Sequence, residues 1–208
     1  MSGRSKSSDR WLREHFSDPF VQRAKSAGWR SRAIYKLEEI DKKEKLLKAG
    51  QVCLDLGAAP GAWSQYARRQ IGRRGRVIAT DILAMAQIPG VEFVQGDFRE
   101  APVFDALLAL VPEHGVDLVL SDMAPNLSGV DAIDHPRSAY LVELALEFSG
   151  RVLKPGGAAL IKVFQGAGFE ELVRTARVQF AKVKLVKPQA SRTRSPELYL
   201  LAKAFVMV

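Results

Sequence analysis

From Val52 onward the chain alternates short apolar runs with amphipathic stripes, and this alternation constrains its fold more than any other feature. The runs Val52–Leu56, Val77–Thr80, Val91–Val94, Val116–Leu120 and Ala158–Phe164 have the length of strands buried on both faces of a parallel sheet. Helical stripes lie between them. Phe104, Leu107, Leu108 and Val111 form one, and Leu141, Leu144, Ala145, Phe148 and Val152 form a second, stopped by Lys154-Pro-Gly-Gly. Phe169, Leu172, Val173, Ala176 and Phe180 form a third. Such alternation predicts βαβ units. Two further runs, Val183–Val186 and Leu198–Ala202, are joined by a segment whose Pro188 and Pro196 disfavour a crossover helix, so the last strand is predicted to be antiparallel. The expected fold is α/β: a mostly parallel seven-stranded sheet with an antiparallel last strand and helices on both faces. Upstream, Ala33, Ile34, Leu37 and Ile40 share one helical face, with Ser31 as the expected cap. Residues 1–28 read as a basic, partly mobile arm, and 29–208 as a single domain.

Composition narrows the setting. A chain of 208 residues, 47% hydrophobic, is long enough for one buried core. No apolar run approaches the roughly 20 residues of a membrane span, and the start is polar. The lone Cys53 excludes internal disulfides and multi-cysteine zinc sites, which predicts a cytoplasmic protein. The net charge of +8 is unevenly spread. Residues 1–50 hold 13 basic against 7 acidic side chains, 51–150 hold 7 against 13, and 151–208 hold 11 against 3. Basic flanks suit a polyanion and an acidic centre suits something cationic; unevenly solvated surface is the alternative.

In a doubly wound sheet, ligands sit beyond the carboxyl ends of the strands. The first strand is followed by Gly57-Ala-Ala-Pro-Gly61-Ala-Trp63, a turn whose glycines permit close backbone approach. It is neither the dinucleotide G-x-G-x-x-G nor a Walker loop. Asp55, Asp81, Asp97 and Asp122 stand at the ends of four successive strands. Clustered carboxylates repel, so the arrangement calls for a cation or many donors. A divalent metal fits that description. S-adenosylmethionine fits it too, through its cationic sulfonium and ammonium and its ribose and adenine donors.

Val52–Trp63 (VCLDLGAAPGAW), Ser121–Asn126 (SDMAPN), Leu153–Gly157 (LKPGG), Ile161–Gly166 (IKVFQG), Ser191–Glu197 (SRTRSPE) and Ser31–Asp41 (SRAIYKLEEID) resemble the FtsJ-type RNA ribose 2′-O-methyltransferases. The resemblance covers nearly the whole chain beyond residue 10 and is strongest to the bacterial heat-shock branch, which methylates a uridine ribose of large-subunit ribosomal RNA. It implies a Rossmann-like fold, S-adenosylmethionine as cofactor, no metal, and a monomer acting on ribosomal RNA. It also implies a Lys-Asp-Lys-Glu tetrad at Lys36, Asp122, Lys162 and Glu197, with Lys162 as proton acceptor. Cofactor contacts are implied at Gly61, Trp63, Asp81, Asp97 and Asp122. Ala62 departs from the pattern, where a second glycine is common.

A ribose 2′-hydroxyl is a weak acid and benefits from proton removal as it attacks. A charged Lys162 that orients the hydroxyl and stabilises developing alkoxide is the competing role. Base methylation at cytosine C5 needs a cysteine nucleophile, and Cys53 lies mid-strand. His15, His114 and His135 show no metal or triad spacing. A non-catalytic RNA-binding or assembly factor, or an enzyme for another RNA such as tRNA, are the rival readings. Arg4, Lys6, Arg10, Arg13, Arg23, Lys25, Arg30 and Arg32 before the core are expected to grip phosphates. Lys182, Lys184, Lys187, Arg192 and Arg194 near its end are expected to do the same. Trp29 and Tyr35 are candidates for base stacking, or for packing of the N-terminal helix.

Overall fold

The computed structural model describes residues 18–125, 128, 130–192 and 195–206. The arm residues Arg4, Lys6, Arg10 and Arg13, together with His15, Asn126 and Arg194, lie outside that set. The elements in chain order are α1 (Pro19–Ser26), α2 (Ile34–Glu44), β1 (Val52–Leu56), α3 (Ala62–Ile71), β2 (Arg76–Asp81), β3 (Val91–Gln95), α4 (Ala101–Leu110), β4 (Val116–Ser121), α5 (Asp131–Val152), β5 (Leu153–Phe164), α6 (Phe169–Gln179), β6 (Phe180–Val186) and β7 (Glu197–Phe205). They build one seven-stranded sheet of order β3-β2-β1-β4-β5-β7-β6. β1 to β5 pair in parallel, and β7 runs antiparallel to both β5 and β6. The order reverses between β1 and β4, which is where a doubly wound sheet opens a ligand crevice.

Strand periodicity divides the core in two. Cys53, Val77, Ala79, Leu118, Leu120, Leu160, Tyr199 and Leu201 pack with α2 and α3 on one face. Leu54, Leu56, Ile78, Val119, Ile161, Val163 and Leu200 pack with α5 and α6 on the other. Side chains two apart on a strand share a face. Asp55 therefore follows Cys53, Asp81 follows Ala79, Asp122 follows Leu120 and Lys162 follows Leu160, while Glu197 and Tyr199 precede Leu201. Every one of these polar groups falls on the α2/α3 face at the carboxyl end of the parallel strands.

Three local expectations change. The helix that Ser31 is expected to cap begins at Ile34, with Ala33 as its N-cap and no side-chain cap bond. Ser31 Oγ instead accepts from the Ala33 amide at 3.3 Å, which makes a turn ahead of the helix. Lys154-Pro-Gly-Gly does not separate α5 from β5 as a loop. α5 gives way to β5 directly at Leu153, and the strand runs through the glycines. Pro19–Ser26, inside the basic arm, is a helix capped by Asp18, whose side chain accepts from the Phe20 amide; Ala24 is buried beneath it. Its apolar content is too short and too broken for periodicity alone to reveal it.

Candidate active site

The four residues of the expected tetrad come from α2, the end of β4, β5 and β7, and they meet as two ion pairs. The Lys36 ammonium lies 2.8 Å from each carboxylate oxygen of Glu197. The Lys162 ammonium lies 3.1 Å from Asp122 Oδ1 and donates to the Asp122 backbone carbonyl at 2.5 Å. β5 and β7 set the lysine–glutamate spacing, because Lys162 is paired across the ladder with Tyr199 and Phe164 with Glu197.

Tyr199, which no sequence motif singles out, joins the two pairs. Its hydroxyl donates to Asp122 Oδ1 at 2.6 Å, and its ring lies 5.8 Å from the Lys36 ammonium and 5.6 Å from the Trp63 ring. Burial pushes this hydroxyl well above its ordinary pKa, and the Asp122 and Glu197 charges push it further, so it remains a donor. Its signal in the sequence is its place two residues after Glu197 on the same strand face. Ser191 completes the shell by donating to Glu197 Oε1 at 2.8 Å.

The two acids nearest the centre are shifted in opposite directions, although burial raises both. Burial raises the Asp122 carboxyl, but the Lys162 and Lys36 charges and the Tyr199 hydrogen bond outweigh it and hold Asp122 below the usual range. Asp55 is pushed up to about 7, mainly by burial, with the Asp122 and Asp81 charges adding to it and the Ser64 hydrogen bond opposing. Ser64 donates to Asp55 Oδ2 at 2.6 Å, whereas Oδ1 is buried and without a hydrogen-bond partner among the described residues. Asp55 lines a narrow crevice with Ser31, Gly57, Trp63 and Asp122.

A larger cavity of 420 Å³ opens beside it, lined by Gly57, Asp81, Ile82, Asp97, Met123 and Leu144 among others. The two Asp81 oxygens accept from the Ala59 and Leu83 amides, each at 2.8 Å, and so hold the glycine turn against the loop after β2. Asp97 is clasped by the Arg99 guanidinium, which donates to both of its oxygens. Gly57 and Gly61 have φ of 74° and 104°, the left-handed region. Protein neighbours also demand them: a Cβ at Gly57 would collide with the Met123 side chain, and one at Gly61 would lie 2.6 Å from Met85 Sδ. The glycines thus serve loop packing as well as backbone access. Trp63 is 3% exposed, and its indole N–H donates to the Ala33 carbonyl at 2.8 Å, so it fastens α3 to the start of α2.

One expectation about the RNA grip is corrected, and of the two roles open to Tyr35 the structure takes packing. Arg30 and Arg32 are committed to protein. Arg30 donates to the carbonyls of Pro60, Ala86 and Gln87, which pins the glycine turn to the loop after β2. Arg32 pairs with Asp18 at 2.6 Å and donates to the Ala190 carbonyl. Tyr35 is buried in the core against Phe20, with Arg23 over its ring, and is not available to stack on a base. Trp29 is half-buried between Tyr66 and Arg69. Short helices packed on a sheet must bury their aromatic residues to stay in place.

A Rossmann-like methyltransferase is the class this sheet order and crevice define, and comparison with known proteins makes it particular. A family model described as FtsJ-like methyltransferase matches residues 29–205, and the chain belongs to that family. It is 57% identical over 202 residues to the Ribosomal RNA large subunit methyltransferase E of Legionella pneumophila (strain Corby), covering 97% of this chain and 98% of that one. The protein of the same name from Stenotrophomonas maltophilia (strain K279a) is 59% identical over 203 residues, covering 98% and 97%. Among solved structures, one described as a ribosomal RNA methyltransferase from Plasmodium falciparum superimposes with a TM-score of 0.76 at 31% identity. That alignment covers 85% of this chain and 98% of the other.

Proposed function

We propose that this enzyme transfers a methyl group from S-adenosylmethionine to the ribose 2′-hydroxyl of a uridine in large-subunit (23S) ribosomal RNA, acting on the assembled subunit. The observation that carries the reading is the two largely buried ion pairs, Lys36–Glu197 and Lys162–Asp122, linked by Tyr199 beside the glycine turn. The names borne by the relatives support the choice of RNA. That all four groups come from one chain supports a monomer, and among the described residues no helix is long and apolar enough to cross a membrane. We read the protein as cytoplasmic.

The crevice fits the cofactor. The buried, unpartnered Asp55 Oδ1 and the neighbouring Asp122 carboxylate suit a cationic, donor-rich group. Gly61, Trp63, Asp81, Asp97 and Asp122 would hold it: Asp81 for ribose hydroxyls, Asp97 for the adenine amine, Asp122 for the cationic end. Arg99 must yield or share Asp97. When bound, S-adenosylmethionine supplies an electrophilic methyl group for in-line displacement.

The chain's own residues do the rest. As the neutral amine, Lys162 directs its two N–H bonds at Asp122 and its lone pair at the ribose 2′-hydroxyl; it takes that proton to become the ammonium as the oxygen attacks the methyl carbon. Asp122 and Tyr199 hold Lys162 in place. Lys36, fixed by Glu197, orients the ribose. The test is methyl transfer from tritiated S-adenosylmethionine to unmodified large subunits by wild type and Lys162→Ala. Wild type is expected to label a nucleotide that becomes alkali-resistant at its 3′ side, and the variant to lose about 10²–10⁴-fold in rate. Absence of label with wild type, or equal rates, overturns the reading.

A further inference from the structure

The amino end of the sheet, opposite the tetrad, carries a hollow that the reaction does not use. It encloses 590 Å³ between the end of α2, the start of β1 and the start of β5, and its lining includes Lys45, Lys48, His114, Asp117, Lys154 and Lys203. Charge there is unbalanced. The Glu44 carboxylate is shared by Lys184 and Lys203, which together hold it below the usual range. The Asp117 carboxylate takes Lys154 on one oxygen and the Val52 amide on the other. Both acids are saturated. Among the described residues, Lys45 and Lys48 have no acidic partner, so four lysines line the hollow against the carboxylates of Glu44 and Asp117.

The backbone is arranged to leave this surface open. Gly50 and Gly156 line the hollow at φ of 85° and 80°, and a Cβ on either would meet nothing within 4 Å. Lys45 itself sits in the left-handed region at φ 54°, ψ 52°, as the C-cap of α2, a position that favours glycine. A lysine there is strained, and its cation meets the negative end of the α2 dipole as well as the hollow.

We propose that this hollow is a second anion site that holds backbone phosphates of the RNA substrate, remote from the methylated nucleotide. It rests on the reading of the protein as an RNA methyltransferase. Lysine ammonium groups act as compact point charges without the fixed fork of arginine, which suits sequence-independent phosphate contact. Asp117 in the hollow and Asp122 beside the tetrad are five residues apart along β4, so about 17 Å separates them at roughly 3.3 Å per residue. The two sites open at opposite ends of the sheet, so an RNA that reaches both has to wrap around the protein.

The experiment compares the full-length wild type with K45E/K48E, and with R174E/R177E on α6 as a control of equal charge change. Each binds a long large-subunit RNA transcript and a short hairpin carrying the target uridine, in salt from 50 to 200 mM. For the transcript, K45E/K48E is expected to flatten the slope of log K against log salt by about 1.5, at roughly 0.7–0.9 per lost cation. The control and the hairpin are expected to keep their wild-type slopes, and cofactor affinity to report intact folding. An unchanged transcript slope overturns the proposal. So does an equal change with the control or the hairpin, and so does competition by inorganic phosphate at the hollow without any change in RNA slope. Failure of wild type to methylate unmodified large subunits would overturn the enzymatic reading instead, while the slope comparison alone decides the case of the hollow.

Discussion

The two ends of the same parallel sheet use lysine and carboxylate in opposite ways. At the carboxyl end, Lys162 and Lys36 are 7% and 14% exposed and each is matched to one acid. At the amino end, Lys154 and Lys184 are 38% and 62% exposed, and cations outnumber acids. Buried charge is tolerable only when paired and hydrogen-bonded, so the first arrangement is geometrically exacting. Solvated charge costs little and acts through its sum, so the second is forgiving in geometry and sensitive to salt. Chemistry belongs at the first end and long-range attraction at the second.

The largest expected effect is at Asp122. Asp122→Asn leaves Lys162 without its charge partner, which should cost about 3 kcal/mol in chemical denaturation and at least a hundredfold in methyl transfer. That is the lower end of the range for breaking a buried pair, because the Asp122 side chain keeps 19% exposure. Its native pKa is lowered, so its contribution is present above the unfolded carboxylate range and fades as pH falls through the native value. The variant should therefore approach wild-type stability in acid. A pH-independent deficit would break the contrast.

Tyr199→Phe removes one hydrogen bond to a charged acceptor. A loss of about 1.5–3 kcal/mol is expected, with a lower kcat and little change in cofactor affinity. Asp55→Asn should show the reverse pH sign to Asp122. With a native value of about 7 against roughly 3.9 when unfolded, Asp55 destabilises the fold increasingly from pH 4 to 7, and the penalty is constant above that. Melting temperatures at pH 5 and pH 8 should therefore rank the variant relatively better at pH 8, and a ranking independent of pH would contradict it. The smallest effect is at the amino end: Lys154→Ala should cost no more than about 1 kcal/mol by denaturant titration. A loss matching that of Asp122→Asn would erase the distinction between the two ends.

Much of this is legible in the chain. Apolar runs of strand length locate all seven strands to within a few residues, except that β5 begins five residues before its predicted start, because Lys154–Gly157 extends the strand. The family motifs point to Lys36, Asp122, Lys162 and Glu197, which the fold brings together. Tyr199 escapes notice because its partner Asp122 is 77 positions away, and a buried tyrosine in an apolar strand reads as core. Arg30 and Arg32 look like phosphate ligands because nothing local reveals that their acceptors are Pro60, Ala86, Gln87 and Ala190. The same limit hides the clasp of Arg99 on Asp97, although only two positions separate them, since side-chain direction in a turn is set by what surrounds it.

The layered α/β sheet, the antiparallel return of β7 and the row of acids at the strand ends are thus written into the order of residues. Period-two burial and short linkers are local constraints, and they leave few other solutions. Which charges are spent and which are free emerges only when the chain is folded. Arg30 is consumed in holding the glycine turn, Asp55 Oδ1 is left unpartnered in the crevice, and Lys45 and Lys48 face the hollow unopposed. Charge neutralisation is a contact between residues far apart in the chain, and a net charge of +8 is the same number however those contacts are made.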